Sequence, residues 1–268
     1  MSFSSKRVGG SFAHKASEAS NKPGKGFGGG KGLGKGRGKG AGGGGGGGGS
    51  TLLNGLVAWW DFEEGSGTTA TDSVNGYTVS DSVQQWATGK TGSSAINYNG
   101  GSSAPGTAMS NVPAIAVSGS FSVCFWAYTN TYATNRFYGH ANTRWFIGIE
   151  NTTKKLRFGK YYNGGSQAMA HATATMDPTS TWYFVAAVYD ADAATLSLSK
   201  DNGTVSTLGS ITPGYPTTSG DFVLNASQLA CCYHIGKVDA FGIWDRALTA
   251  AEITEVYNSG NGLSYADL

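Results

Sequence analysis

The chain has 268 residues, and its formal charge of +2 conceals a sharp division. Residues 1–50 hold 20 of the 43 glycines, nine Lys or Arg and one acid, Glu18, while residues 51–268 hold ten basic and sixteen acidic residues, all seven tryptophans and all thirteen tyrosines. This distribution excludes a second hydrophobic core at the N-terminus, and three cysteines, Cys124 and the adjacent Cys231 and Cys232, exclude a regular disulfide framework or zinc spacing.

In chain order, residues 1–50 come first. No apolar stretch follows Lys6 and Arg7, so no secretory signal is expected, and nowhere do eighteen apolar residues run together as a membrane span requires. From Lys22 to Gly49 almost no apolar side chain is available to offset the entropy of ordering so much glycine, which predicts a tail that stays disordered alone. Within it, GKGLGKGRGKG (Gly30–Gly40) spaces Lys31, Lys35, Arg37 and Lys39 two to four residues apart and resembles the lysine-glycine tail of a core histone. Such a segment suits a polyanion, either nucleic acid through counterion release or an acidic surface; the other reading is a solvated tether. The octaglycine Gly42–Gly49 is a flexible linker.

Beyond Thr51 the apolar pattern has period two, the signature of half-buried antiparallel strands. Strands are predicted at Leu56–Phe62, Ala95–Tyr98, Phe121–Tyr128, Trp145–Glu150, Leu156–Tyr161, Trp182–Tyr189, Thr195–Lys200, Phe222–Leu224 and Val238–Trp244. Asn163-Gly164-Gly165 and Asp201-Asn202-Gly203 are turn signals between them. Phe121–Tyr128 is apolar on both faces, as a central strand covered by a second sheet on one side and by loops on the other would be. Cys124 on this strand is expected to be a buried, small apolar side chain. One helix is signalled near the end, where Thr249-Ala250-Ala251-Glu252 forms a capping box. Ile253, Val256 and Tyr257 then share a face, and Gly260 or Gly262 is available to end the helix. The expected fold class is an all-β sandwich carrying one short C-terminal helix.

Four segments carry a resemblance in a consistent order. They are GLVAWWDFEEGSGTTATDSVNG (Gly55–Gly76), FSVCFWAY (Phe121–Tyr128), WYFVAAVYDADAATLSLSKDNG (Trp182–Gly203) and IGKVDAFGIWDRALTAAEITEVYNSGNGLSY (Ile235–Tyr265). Together they resemble laminin-G-like domains of the concanavalin A-like superfamily, over residues 53–266. The resemblance implies a jelly-roll β-sandwich, residues 51–268, and recognition of glycans or protein surfaces. It also implies a structural calcium ion. The matching residues are Asp72 and Asn75 in the first loop, closed by Asp239 from the last strand, although this loop, Asp72-Ser73-Val74-Asn75-Gly76, is one residue shorter than the family's. The other reading of the same residues is an Asx-turn at Asp72 and an Asp239 that accepts hydrogen bonds from loop amides.

Glucanases of this superfamily place two carboxylates on one strand in a Glu-x-Asp-x-x-Glu pattern, which is absent from this chain. The nearest clusters are Asp61, Glu63 and Glu64, and Asp190 with Asp192. Four scattered histidines and the lack of a Gly-x-Ser-x-Gly elbow give no support to a triad. For binding, aromatic rings near loops are the residues on which sugars stack, which selects Tyr132, Tyr138, Trp145, Tyr161 and Tyr162, with Asn142 and Arg144 as polar neighbours.

The sequence therefore leads to a non-catalytic module. A laminin-G-like domain joined by polyglycine to a cationic tail resembles a bacteriophage or other virion decoration or fibre protein, assembled in the host cytoplasm. Its expected partners are glycans or other virion proteins, with a homo-oligomer open. The alternatives are a secreted or cell-surface carbohydrate-binding adhesin and, third, a glycoside hydrolase.

Overall fold

A computed structural model describes residues 50–80, 85–98, 107–110, 119–131, 136–141, 145–161, 167–177, 179–212, 222–224 and 234–268, all within the compact unit Gly48–Leu268. The tail residues Lys31, Lys35, Arg37 and Lys39, and the candidates Tyr132, Asn142, Arg144 and Tyr162, lie outside the described residues.

Sixteen strands are described: β1 (Leu56–Trp60), β2 (Thr69–Thr71), β3 (Thr78–Ser80), β4 (Gln85–Ala87), β5 (Ala95–Tyr98), β6 (Thr107–Ser110), β7 (Phe121–Thr129), β8 (Arg136–Ala141), β9 (Trp145–Ile149), β10 (Lys155–Tyr161), β11 (Gln167–Thr175), β12 (Trp182–Asp190), β13 (Thr195–Lys200), β14 (Ser206–Leu208), β15 (Phe222–Leu224) and β16 (Gly236–Trp244). They form two antiparallel sheets. Sheet I has the order β14-β13-β12-β7-β16-β5-β4, with β1 paired to the second half of β16, and sheet II has the order β11-β10-β9-β8-β15-β6-β3-β2.

The alternation along β7 explains the layering. Phe121, Val123, Phe125 and Ala127 point into the core between the sheets, where they meet Tyr138, Trp145, Ile147, Phe158 and Phe222 of sheet II. Cys124 and Trp126 point the other way, into a second apolar cluster with Leu52, Trp59, Phe184, Trp244 and Val256. Burying each such side chain contributes roughly 1.5–3 kcal/mol, so a strand apolar on both faces is held at the centre of sheet I. Burial pushes the Cys124 thiol well above its ordinary range, in keeping with an inert core residue.

Helix α1 (Ala250–Tyr257) lies over the second cluster. The hydroxyl of its N-cap Thr249 accepts from the Glu252 amide (3.3 Å), and Glu252 accepts from the Thr249 amide (2.9 Å), the capping box expected from sequence. The helix ends at Asn258, in the left-handed region (φ 47°), rather than at Gly260 or Gly262. Asparagine tolerates this conformation because its short polar side chain bonds locally, here to the carbonyl of Gly262 (2.8 Å). No helix among the described residues is long and apolar enough to cross a membrane.

Candidate functional site

On β10, Leu156 and Phe158 point into the core, so Arg157, Gly159 and Tyr161 face outward from sheet II. Register places Phe146 of β9 beside Gly159 and opposite His140 of β8, while Gly148 separates Arg157 from Phe137. The outcome is a cluster of Phe137, His140, Phe146, Arg157 and Tyr161 on one face.

Glycine spacing makes the cluster. A Cβ at position 159 would lie 2.2 Å from the Phe146 ring, so only glycine lets that ring lie across the strand. Phe146 packs edge-on against Phe137 (centroids 5.3 Å) and is tilted against Tyr161 (5.9 Å). The Arg157 guanidinium stands 5.1 Å from the Phe137 ring centre and 5.5 Å from that of Phe146, within cation–π range. His140 contacts Phe137, Phe146 and Tyr161 and is buried, which lowers its pKa to about 4. It is therefore neutral at physiological pH. Burial raises the Tyr161 pKa, and the Arg157 charge partly offsets this. Phe137, Arg157 and Tyr161 are half-buried, and His171 beside Arg157 on β11 is exposed.

The half-buried Phe137 and Tyr161 rings beside the Arg157 guanidinium can stack on the apolar face of a sugar ring and bond its hydroxyls. The cluster holds no carboxylate and so no general-acid pair for glycoside cleavage. The two acidic clusters are occupied with loop structure. Asp61 accepts from the Trp59 indole (2.6 Å) and the Tyr265 amide (2.8 Å), and Glu63 accepts from Ser93 and Ser94. Asp190 accepts from the amides of Asp192 and Ala193 at a hairpin tip.

Of the sequence-derived binding residues, Tyr161 falls within the cluster. Two others are corrected. Trp145 is fully buried, tilted against Phe121 (5.3 Å) and Phe222 (5.1 Å). Tyr138 is fully buried with its hydroxyl 2.7 Å from Thr129 Oγ1. Both have the inward parity of their strands, so neither ring face meets solvent, and their neighbours Phe146 and Phe137 are the outward residues. Sequence reasoning missed Phe137, His140, Phe146 and Arg157. The usable signal was Gly148 and Gly159 interrupting two apolar strands.

The residues expected to hold calcium take the alternative role. Asp72 Oδ1 accepts from the amides of Val74 (2.8 Å) and Asn75 (3.0 Å), and Oδ2 accepts from that of Tyr77. The Asn75 side-chain amide donates to the carbonyl of Val57 (2.7 Å). Asp239 Oδ2 accepts from the amides of Lys90 (2.6 Å) and Thr91 (2.9 Å), and Oδ1 from that of Ala240 (2.8 Å) at a bulge in β16. Backbone N–H groups occupy three acceptor positions on each of the Asp72 and Asp239 carboxylates and the Asn75 amide is anchored at Val57, so these residues as placed do not fit a calcium shell. No group of three or more His, Cys, Asp or Glu suited to a metal occurs among the described residues.

Two packed antiparallel sheets with a helix on one outer face and an aromatic cluster on the other define a jelly-roll sandwich. The chain belongs to the concanavalin A-like lectin/glucanases superfamily, whose laminin-G-type model matches residues 99–254. No curated protein sequence matches the chain. Among solved structures, it is similar to the binding domain of Paraclostridial Mosquitocidal Protein 1 (TM-score 0.63, 14% identity, 78% of this chain and 53% of that one). It is also similar to the botulinum neurotoxin serotype G binding domain (0.59, 14%, 75% and 50%). A third is domain 4 of AbnA, an extracellular arabinanase from Geobacillus stearothermophilus, solved with arabinotriose (0.60, 15%, 75% and 97%). The chain spans about half the length of the toxin binding domains, and at these identities the likeness concerns the fold.

Proposed function

We propose that this chain is a non-catalytic glycan-binding module and that the outer face of sheet II is its binding surface. The observation that carries the reading is the half-buried Phe137, Arg157 and Tyr161 on this face, backed by the buried Phe146 and His140 and without a carboxylate. The AbnA domain, of similar fold and nearly the same extent, was solved with a bound arabinose oligomer, which supports an oligosaccharide as ligand class. Attachment through polyglycine to a tail of charge +8 supports display from a virion, with the tail on packaged nucleic acid or an acidic protein surface and the domain outward.

The test is a glycan array probed with the full chain, the Tyr161→Ala and Arg157→Gln variants, and a variant with the tail lysines replaced. The reading expects selective binding that survives tail replacement and falls about tenfold or more in either cluster variant, as loss of a stacking ring or a charge-assisted bond implies. Selective binding untouched by both cluster variants overturns the proposed surface. No selective binding by the chain overturns the glycan reading.

A further inference from the structure

The helix covers only part of the outer face of sheet I. Where it stops, cross-strand register aligns Lys237 of β16, Tyr128 of β7 and Trp182 of β12 in one row. All three are half-buried. Tyr128 and Trp182 meet edge to face at 5.4 Å, and the Lys237 ammonium lies 4.7 Å from the Tyr128 ring centre and 5.6 Å from that of Trp182. Lys90 stands 4.6 Å over Trp126, the next ring along β7.

Three cations of the domain have a carboxylate partner. Lys200, which also stands over a tyrosine ring, has Asp201 at 3.5 Å; Lys154 has Asp177 and Arg246 has Glu252. Among the described residues Lys90 and Lys237 are in no ion pair, and Lys237 donates only to the carbonyl of Thr88 (3.1 Å). The Trp182 indole N–H and the Tyr128 hydroxyl likewise make no hydrogen bond among the described residues. Residues 51–268 carry a net charge of −6, yet this row sets two ammonium groups with no carboxylate partner among the described residues beside two half-buried rings.

We propose that Lys237, Lys90, Tyr128 and Trp182 form a second binding site, which takes an acidic oligosaccharide. The Trp182 ring stacks on a sugar face, and the ammonium groups bind a carboxylate or sulfate on the same or the adjacent residue. Since the site lies on the sheet opposite the Tyr161 cluster, the domain engages two glycan segments at once, and effective concentration raises its hold on a polymer.

The measurement is intrinsic tryptophan fluorescence of the full chain titrated at physiological salt with trigalacturonate, a sulfated disaccharide, neutral galactotriose, and hexaglutamate. All seven tryptophans lie in residues 51–268, so tail binding alone gives no direct signal. The expected result is a saturable change with a charged sugar, about tenfold weaker in Lys237→Gln and in Trp182→Ala and kept in Trp182→Phe. The trigalacturonate and sulfated arms separate carboxylate from sulfate as the recognised group. Equal response to hexaglutamate assigns the patch to an acidic protein and overturns the proposal, as does affinity unchanged in folded Lys237→Gln and Trp182→Ala. Because the variants lie on opposite sheets, loss of the Tyr161 site and loss of this one are read separately.

Discussion

Replacing Gly159 by alanine tests the packing that creates the sheet II cluster. A Cβ there would fall 2.2 and 2.3 Å from Cε1 and Cζ of Phe146, against the 3.4 Å or more of an ordinary contact, so the ring must move by over an ångström. It cannot swing freely, because Phe146 is only 3% exposed and is held by Phe137, Tyr161 and His140. Overpacking of this kind costs about 1–3 kcal/mol. A domain of this size loses roughly 3 °C of Tm per kcal/mol, giving a fall of about 3–9 °C. Gly119→Ala is the control, since a Cβ there meets nothing within 4 Å and φ is not positive. That change should be neutral or slightly stabilising, because alanine restricts the unfolded chain. Thermal and urea unfolding of both variants read the difference. A Gly159→Ala protein as stable as Gly119→Ala, with glycan binding intact, refutes the packing account.

Further outcomes follow from the loop anchors. Arg246 donates to both Glu252 oxygens (2.9 and 2.7 Å) and to the carbonyls of Asn54 and Thr51, tying the start of the domain to its last helix, so Arg246→Ala should cost about 2–4 kcal/mol in urea unfolding. Arg246, the first cause, holds the Glu252 carboxyl well below its ordinary value of 4.5. The stability this gives is present above pH 4.5 and is lost as pH falls below it, and Glu252→Gln should flatten that acid limb in a pH series of unfolding curves. Asp239 behaves oppositely: burial, the largest cause, pushes its pKa up to about 7, so the fold gains stability as pH falls from about 7 towards 4, and Asp239→Asn should remove this slope. With Asp72 and Asp239 engaged by backbone amides, 5 mM CaCl2 against EDTA should leave Tm unchanged to within about 1 °C; a rise of several degrees with calcium would contradict that account.

Much of the fold was legible because its long strands alternate. Ala95–Tyr98, Thr195–Lys200 and Phe222–Leu224 lie where the period-two pattern put them, and the Thr249-Glu252 capping box starts the helix as read. Strands β2, β3, β4 and β14 escaped because each has only three residues and begins with a polar one, whereas the equally short β15 is apolar throughout. Strand β11, QAMAHATAT, escaped because alanine carries little contrast between faces. The binding surface was less legible, since it depends on parity. Trp145 and Phe146 are adjacent and both aromatic, and only pairing with Gly159 and Lys160 shows which faces out. The aspartates posed a similar problem: the same oxygens suit a cation or a row of amides, and the local turn at Val74, Asn75 and Tyr77 decides between them.

The most direct measurement is a crystal structure of the chain with the best oligosaccharide from the array. The account predicts a sugar ring stacked on Tyr161 or Phe137, within hydrogen-bond reach of Arg157 and on the outer face of sheet II. A sugar bound at the Asp72 loop, bridged to the protein by a cation, with the sheet II cluster bare, would contradict it.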